Sequence, residues 1–237
     1  MSHIFETKLD ALGITLTEKQ KEQFYKYFEL LVEWNKVMNL TGITEYEEVN
    51  EKHFVDSVSI VKAIDINKVE SVIDIGTGAG FPGIPLKIAF PHLKVVLLDS
   101  LNKRINFLNT VIEELQLENI ETIHGRAEDF AKNIAYREQF DLCVSRAVAN
   151  LSTLSEYCLP YVKVDGMFVS YKSGEIDEEI KNAKNAVFIL GGKIEKIIKF
   201  ELPGTEIGRS FVKIQKKQNT AKKYPRKAGL PSKEPLK

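Results

Sequence analysis

An apolar run, Val72-Ile73-Asp74-Ile75, leads into three alternating glycines, Gly76, Gly78 and Gly80, and then into Pro82 and Pro85. No other stretch restricts the fold as much. Glycine adopts backbone conformations closed to other residues, and proline suits the first turn of a helix, so the stretch predicts a strand, a tight turn and a helix start. Such a turn exposes its N–H groups, and the helix end adds partial positive charge, so the anionic end of a nucleotide-like molecule can rest there. A second apolar run, Leu93-Lys94-Val95-Val96-Leu97-Leu98, ends in Asp99. An acid at the tip of the second strand, about 20–25 residues past the loop, is placed to hold a ribose hydroxyl pair. Asp74, Gly76, Gly78, Gly80, Phe81 and Asp99 are therefore the first candidates for cofactor binding.

Two cofactors suit this arrangement, a dinucleotide such as NAD and S-adenosylmethionine. Gly78-Ala79-Gly80-Phe81-Pro82-Gly83 formally matches the dinucleotide fingerprint G-x-G-x-x-G. Three features oppose it. Gly76 breaks the strand two residues before that match begins, and Phe81 and Pro82 are bulky where a pyrophosphate needs the helix end close. Asp74 also sets a carboxylate near the ligand's anionic end, where it repels a pyrophosphate but attracts an ammonium or sulfonium group. The pattern Asp-x-Gly-x-Gly-x-Gly resembles motif I of class I methyltransferases, which favours S-adenosylmethionine.

The rest of the chain supplies a context for that loop. Thr17-Glu18-Lys19-Gln20 reads as a capping box, followed at helical spacing by Phe24, Tyr27, Phe28, Leu31, Trp34 and Met38. That stripe is either core contact or an aromatic platform for bases. Asn39-Leu40-Thr41-Gly42 ends the helix, and Thr44 with Glu47 predicts a second capping box opening a helix to about Ala63. From residue 69 short apolar runs alternate with amphipathic segments, predicting strands over 69–75, 94–99, 120–124, 140–145 and 167–172. Ser100 is the expected cap of the helix after the second strand, and residues 193–201 and 210–216 form a closing antiparallel pair. The predicted class is α/β, a Rossmann-like class I sheet with an N-terminal helical appendage. Residues 1–65 form the cap, 66–217 the main domain and 218–237 a basic tail.

Composition matters mainly through that tail. Nine Lys and Arg residues lie between Lys213 and Lys237 against Glu234 alone, leaving 24 bases and 32 acids in the rest of the neutral chain. A solvated, disordered tail and a polyanion-binding one both fit such a run. The two cysteines, Cys143 and Cys158, and four scattered histidines offer neither a disulfide framework nor metal spacing. No apolar run reaches the ~18–20 residues of a membrane span, and the first residues lack a signal layout, so a cytoplasmic location without membrane or metal is expected.

Candidate chemistry gathers at the predicted strand ends. After the third strand, His124-Gly125-Arg126-Ala127-Glu128-Asp129 places Glu128 to read an adenine amino group, or merely to favour the next helix start. The fourth strand ends in Ser145-Arg146-Ala147, where an arginine can hold a phosphate or a guanine edge, or form a surface ion pair. Amino-methylating enzymes usually carry an Asn/Asp-Pro-Pro-aromatic run at this point, and this chain does not. No Pro-Cys motif accompanies Cys143 either. A ring nitrogen such as guanine N7 needs neither device, because it has a free lone pair and no proton to lose, so in-line attack requires positioning rather than a general base. His53, Asp56 and Ser57 share a helical face, better read as a polar face beside the cofactor edge than as a hydrolytic triad. Lys103 and Arg104 follow Asp99 and are either RNA-phosphate contacts or ordinary solvated cations.

Taken together, these segments resemble the glucose-inhibited division protein B (GidB) family of small-subunit ribosomal RNA guanine-N7 methyltransferases. The matching runs are Val32-Glu33-Trp34-Asn35, Asn39-Leu40-Thr41 and Lys52-His53-Phe54-Val55-Asp56-Ser57. They continue through the glycine loop, Leu98-Asp99-Ser100-Leu101-Asn102-Lys103-Arg104, Arg126-Ala127-Glu128, Ser145-Arg146-Ala147 and the tail run Lys223-Tyr224-Pro225-Arg226-Lys227-Ala228-Gly229-Leu230-Pro231. The resemblance covers essentially the whole chain. It implies S-adenosylmethionine-dependent methylation of a guanine N7 in the 530 loop of bacterial 16S rRNA, naked or within the 30S subunit, by an enzyme expected to be a monomer. It implies that Gly76, Phe81, Ala127, Glu128 and Arg146 line the cofactor site with Asp99 on the ribose, and that Arg146 and Lys103 matter for activity. His53, Lys103, Arg104, Arg146, Lys172, Lys222, Lys223, Arg226 and Lys227 are the expected RNA contacts. A noncatalytic RNA-binding or assembly factor on the same fold, and a methyltransferase for a non-RNA substrate, are the competing readings.

Overall fold

The computed structural model describes residues 3–237. Its centre is a seven-stranded sheet: β1 (Ser71–Ile75), β2 (Lys94–Asp99), β3 (Ile120–His124), β4 (Phe140–Arg146), β5 (Val162–Lys172), β6 (Gly192–Glu201) and β7 (Gly208–Lys216). The order is β3-β2-β1-β4-β5-β7-β6. The first five strands pair in parallel, and β7 runs antiparallel to both β5 and β6. Chain order reverses beside β1, so the crevice between β1 and β4 is the topological switch point where such sheets bind ligands. Ile75, Asp99, His124 and Arg146 all end on that edge.

The helices are α1 (His3–Asp10), α2 (Glu18–Met38), α3 (Tyr46–Val49), α4 (Asp56–Val58), α5 (Gly83–Ala89), α6 (Asn102–Glu114), α7 (Ala127–Phe130), α8 (Leu151–Cys158), α9 (Asp177–Ile189) and α10 (Leu230–Lys233). Strand side chains alternate between two cores, as a sheet covered on both faces requires. Val72, Val95, Leu97, Leu142 and Val144 pack under the N-terminal helices with α5 and α6. Ile73, Val96, Leu98, Cys143 and Phe168 face α8, α9 and Tyr224 of the C-terminal segment. The appendage and the sheet therefore share one core. Phe24, Tyr27 and Leu31 of α2 are buried in it, with Phe28, Trp34 and Met38 packed at its margin, so the aromatic stripe is core contact.

Local signals hold at α2. Thr17 and Gln20 exchange the two hydrogen bonds of a capping box, and Asn39 ends the helix in the left-handed conformation with φ 49°. Two expected starts differ. Glu45, not Thr44, precedes α3, and no side chain caps it. The helix expected to run to Ala63 is broken into α3, a π turn over Asn50–Val55, α4 and a 3₁₀ turn over Ser59–Lys62. At α6 the residue before the helix is Leu101, and the Asp99 carboxylate accepts its N–H at 2.9 Å, a role the sequence suggested for Ser100.

The C-terminal segment is ordered, contrary to the disordered reading. Tyr224, Pro225 and Pro231 are buried. Arg137 donates to the carbonyls of Thr220 (2.6 Å) and Tyr224 (3.0 Å), which fixes the start of the segment.

Candidate active site

The strand ends shape the glycine loop from below. Gly76, Gly78 and Gly80 all have positive φ, at 69°, 63° and 97°. A Cβ on Gly80 would lie 2.6 Å from the Tyr27 hydroxyl, and one on Gly76 would lie 2.6 Å from the Val148 side chain. The loop thus needs glycine both for its backbone and for close approach. Tyr27 donates to the Ala79 carbonyl at 2.5 Å, so α2 grips the loop directly.

Asp74 lies fully buried beneath this loop. Its Oδ2 accepts from the Thr77 hydroxyl (2.7 Å) and the Gly83 N–H (2.8 Å), while Oδ1 has no hydrogen-bond partner. Burial drives its carboxyl up to about 7, against the pull of those two hydrogen bonds. Asp99 is more fully engaged. It accepts from Gly78 N–H (2.9 Å), Leu101 N–H (2.9 Å) and Arg104 (3.2 Å), holding the loop, the α6 entry and a cation together.

Two cavities open on this edge. The first, of about 310 Å³, is lined by Gly76, Asp99, Ser100, Ala127, Glu128 and Tyr157 among others. The second, of about 500 Å³, lies between the π turn and the ends of β4, β5 and β7. Ala147 lines both. It follows Arg146 with φ 56°, a conformation that costs an alanine about 1–2 kcal/mol and that concentrates at functional sites.

Arg146 anchors the second cavity. Its guanidinium donates to Asp56 (2.9 Å) and to the Lys52 carbonyl (3.2 Å), and it lies 5.0 Å from the Phe81 ring centre. Asp56 is buried and also accepts from Arg209 at 3.0 Å, so one carboxylate joins two guanidinium groups. His53 stacks on Phe81 with ring centres 4.6 Å apart, bonds Thr41 through Nε2 at 2.8 Å and sets Nδ1 3.3 Å from Arg146. Burial first, then the Arg146 charge, hold its imidazole down to about 3. His53 is therefore neutral at physiological pH, and a weak base. The π turn and the first residue of α4 bring Lys52, His53 and Asp56 to this mouth together, and such turns gather at functional sites.

Not every sequence candidate meets a cavity. Gly76, Asp99, Ala127 and Glu128 line the smaller one, together with Arg104; His53, Arg146 and Lys172 line the larger. Asp74, Gly78, Gly80 and Phe81 lie behind the walls and shape the loop, and Lys103 projects exposed outside both linings. Lys172 donates to Glu179 at 2.6 Å. In the C-terminal segment Lys222, Lys223 and Lys227 are exposed, whereas Arg226 is bound to Glu156. Arg209 and Tyr171 escaped the sequence reading. Arg209 lies 153 positions from Asp56, and no local pattern links them.

The smaller cavity fits S-adenosylmethionine on its own features. It pairs Asp99 at the β2 tip with Gly76 of the glycine loop and the buried carboxylate of Glu128 at its far wall. Among the described residues no group of three or more His, Cys, Asp or Glu side chains could hold a metal ion, and no helix is long and apolar enough to cross a membrane.

Residues 20–207 match the family profile described as rRNA small subunit methyltransferase G. The chain is 55% identical over 228 residues to the ribosomal RNA small subunit methyltransferase G of Lachnoclostridium phytofermentans, covering 96% of this chain and 94% of that protein. It is 54% identical over 232 residues to the protein of the same name from Brevibacillus brevis, covering 98% of each. Among solved structures it resembles a SAM-dependent methyltransferase from Aquifex aeolicus, with TM-score 0.52, 17% identity and coverage of 72% of this chain and 93% of that one. It also resembles TYW2 of M. jannaschii in complex with AdoMet, with TM-score 0.50, 17% identity and coverage of 63% and 70%. These two likenesses are of fold.

Proposed function

The chain belongs to the rRNA small subunit methyltransferase G family, and on that premise we propose that it methylates N7 of a guanine in the 530 loop of 16S rRNA. It is an S-adenosylmethionine-dependent enzyme that acts on small-subunit ribosomal RNA. The observation that carries the finer reading is the junction at Ala147, where a nucleoside-sized cavity meets a larger basic one. Lys52, Arg146, Lys172 and Arg209 line the larger cavity against Asp56 and Glu179, while His53 is neutral, so the mouth carries net positive charge suited to a phosphodiester chain.

Asp99, Glu128 and the loop at Gly76 would hold the cofactor, which when bound supplies an electrophilic methyl group. Guanine N7 brings a lone pair and no proton, so the protein's task is position, charge and exclusion of water. Arg146 is fixed by Asp56, the Lys52 carbonyl, the His53 ring and the Phe81 face, and the N–H groups these leave open would hold a guanine edge or phosphate. Burial and the Arg146 charge make His53 a poor proton acceptor, and attack by a ring nitrogen, which has no proton to lose, asks for none. Residues 3–65 serve as a cap that braces the loop, and the enzyme works as a cytoplasmic monomer on rRNA, naked or in the 30S particle.

The test is incubation with methyl-labelled S-adenosylmethionine and unmodified 16S rRNA, both naked and in 30S particles, followed by mapping. Label confined to one guanine N7 is the expected result. Label on an exocyclic amine, or no transfer to either substrate while the cofactor binds, overturns the assignment.

A further inference from the structure

The C-terminal segment meets the cofactor cavity from behind. Gly229 takes φ 84°, and its N–H donates to Glu128 Oε1 at 2.8 Å. Glu128 is 3% exposed and lines the smaller cavity. Three residues before Gly229, Arg226 closes on Glu156, whose side chain is completely buried on α8. The backbone N–H of Arg226 and its Nε reach Oε1 at 2.7 and 2.9 Å, and Nη2 reaches Oε2 at 2.7 Å. Beyond Gly229, the Thr153 hydroxyl donates to the Pro231 carbonyl at 3.0 Å.

Glu156 has no solvent, so Arg226 is its counter-charge, and this pair fixes where Gly229 falls. Gly229 in turn orients Glu128 by occupying one oxygen and leaving the other for a donor such as an adenine amino group. From these contacts we propose that residues 224–232 are a built part of the cofactor site, positioning Glu128 against the adenine with the Arg226–Glu156 pair as the latch. Arg226 is thus a positioning residue rather than an RNA contact. The inference rests on the reading of the smaller cavity as the S-adenosylmethionine site.

The test is calorimetric titration of the full-length chain with S-adenosylmethionine in the absence of RNA, for Arg226→Ala, Glu128→Ala, their combination and Arg226→Lys. The expected result is a Kd raised about tenfold by Arg226→Ala, the scale of one charge-assisted hydrogen bond. Arg226→Lys falls between that variant and the parent chain. Because the latch acts through Glu128, adding Arg226→Ala to Glu128→Ala raises Kd by less than about threefold more. A Kd unchanged within about twofold in Arg226→Ala, or full additivity in the double variant, overturns the inference. Should Arg226→Ala fail to fold, the pair Glu156→Gln with Arg226→Gln removes the latch without leaving a buried charge, and is judged by the same criterion. A parent chain that binds no S-adenosylmethionine contradicts the cofactor reading itself; one that binds it normally while Arg226→Ala is indifferent contradicts this inference alone.

Discussion

Asp74 shows how one buried group sets conditions for its neighbours. Its carboxyl is held up to about 7, above the ordinary 3.8, so the folded chain binds a proton more tightly than the unfolded chain. Stability from this group is full below about pH 4 and falls as pH rises towards 7, since the folded state there retains a proton the unfolded state has lost. A cation bound above the loop favours the ionised form and reverses the balance. Affinity for S-adenosylmethionine should therefore rise between pH 6 and 8 and then level off, and Asp74→Asn should flatten the profile; titrations at fixed ionic strength across that range check both. His53 contributes no inflection there, being neutral throughout. At this scale the sequence was informative where chemistry follows a local pattern. Asp99 and Arg146 end strands, Asp74 lies one residue before the end of β1 and Glu128 in the turn of helix after β3, and these positions are legible in the sequence. The partners that define their environments are not: Arg209 faces Asp56 across 153 positions, and Glu156 faces Arg226 across 70. Nor does the sequence show that Asp74 lies behind the loop, with the Thr77 hydroxyl and the Gly83 N–H as its partners.

Among the elements, the glycine loop and α2 behave as one unit. Tyr27 bonds the Ala79 carbonyl, and Gln20 donates to the Ile88 carbonyl at 2.7 Å at the far end of α5. Tyr27→Phe keeps the ring in place and removes the hydroxyl contact, leaving the Ala79 carbonyl short of a donor. It should cost about 1–2 kcal/mol of stability and weaken cofactor binding without altering which base is methylated; thermal denaturation with parallel titration reads both effects. Capping and 3.6-residue periodicity are local signals, so the start, stripe and stop of α2 are legible in the sequence. Residues 46–62 resisted reading for the opposite reason. Their apolar positions suit a helix, but Phe54 packs 5.1 Å from Phe24 and 6.1 Å from Phe81, and Arg146 binds both Lys52 and Asp56. These tertiary contacts coincide with the widened turn, and no residue in it is a recognised helix breaker. The C-terminal segment misled in the other direction. Its lysines suggest solvent, whereas its anchors are a tyrosine, two prolines and one arginine with distant partners.

Over the whole molecule, the sheet order places every functional strand end on one edge, and this much follows from the βαβ rhythm and right-handed crossovers. The N-terminal helices and the C-terminal segment complete that edge from opposite faces. One braces the glycine loop through Tyr27; the other reaches the smaller cavity through Glu128. On the proposed reading, a cofactor cavity and a basic substrate cavity meet at Ala147. Crystallography of the chain with S-adenosylhomocysteine, the demethylated cofactor, tests it most directly. Adenosine is expected between Asp99 and Glu128, with the sulfur turned towards Ala147 and open to the cavity that holds Arg146 and His53. Adenosine lodged in that larger cavity, or a sulfur facing away from Ala147, would contradict it.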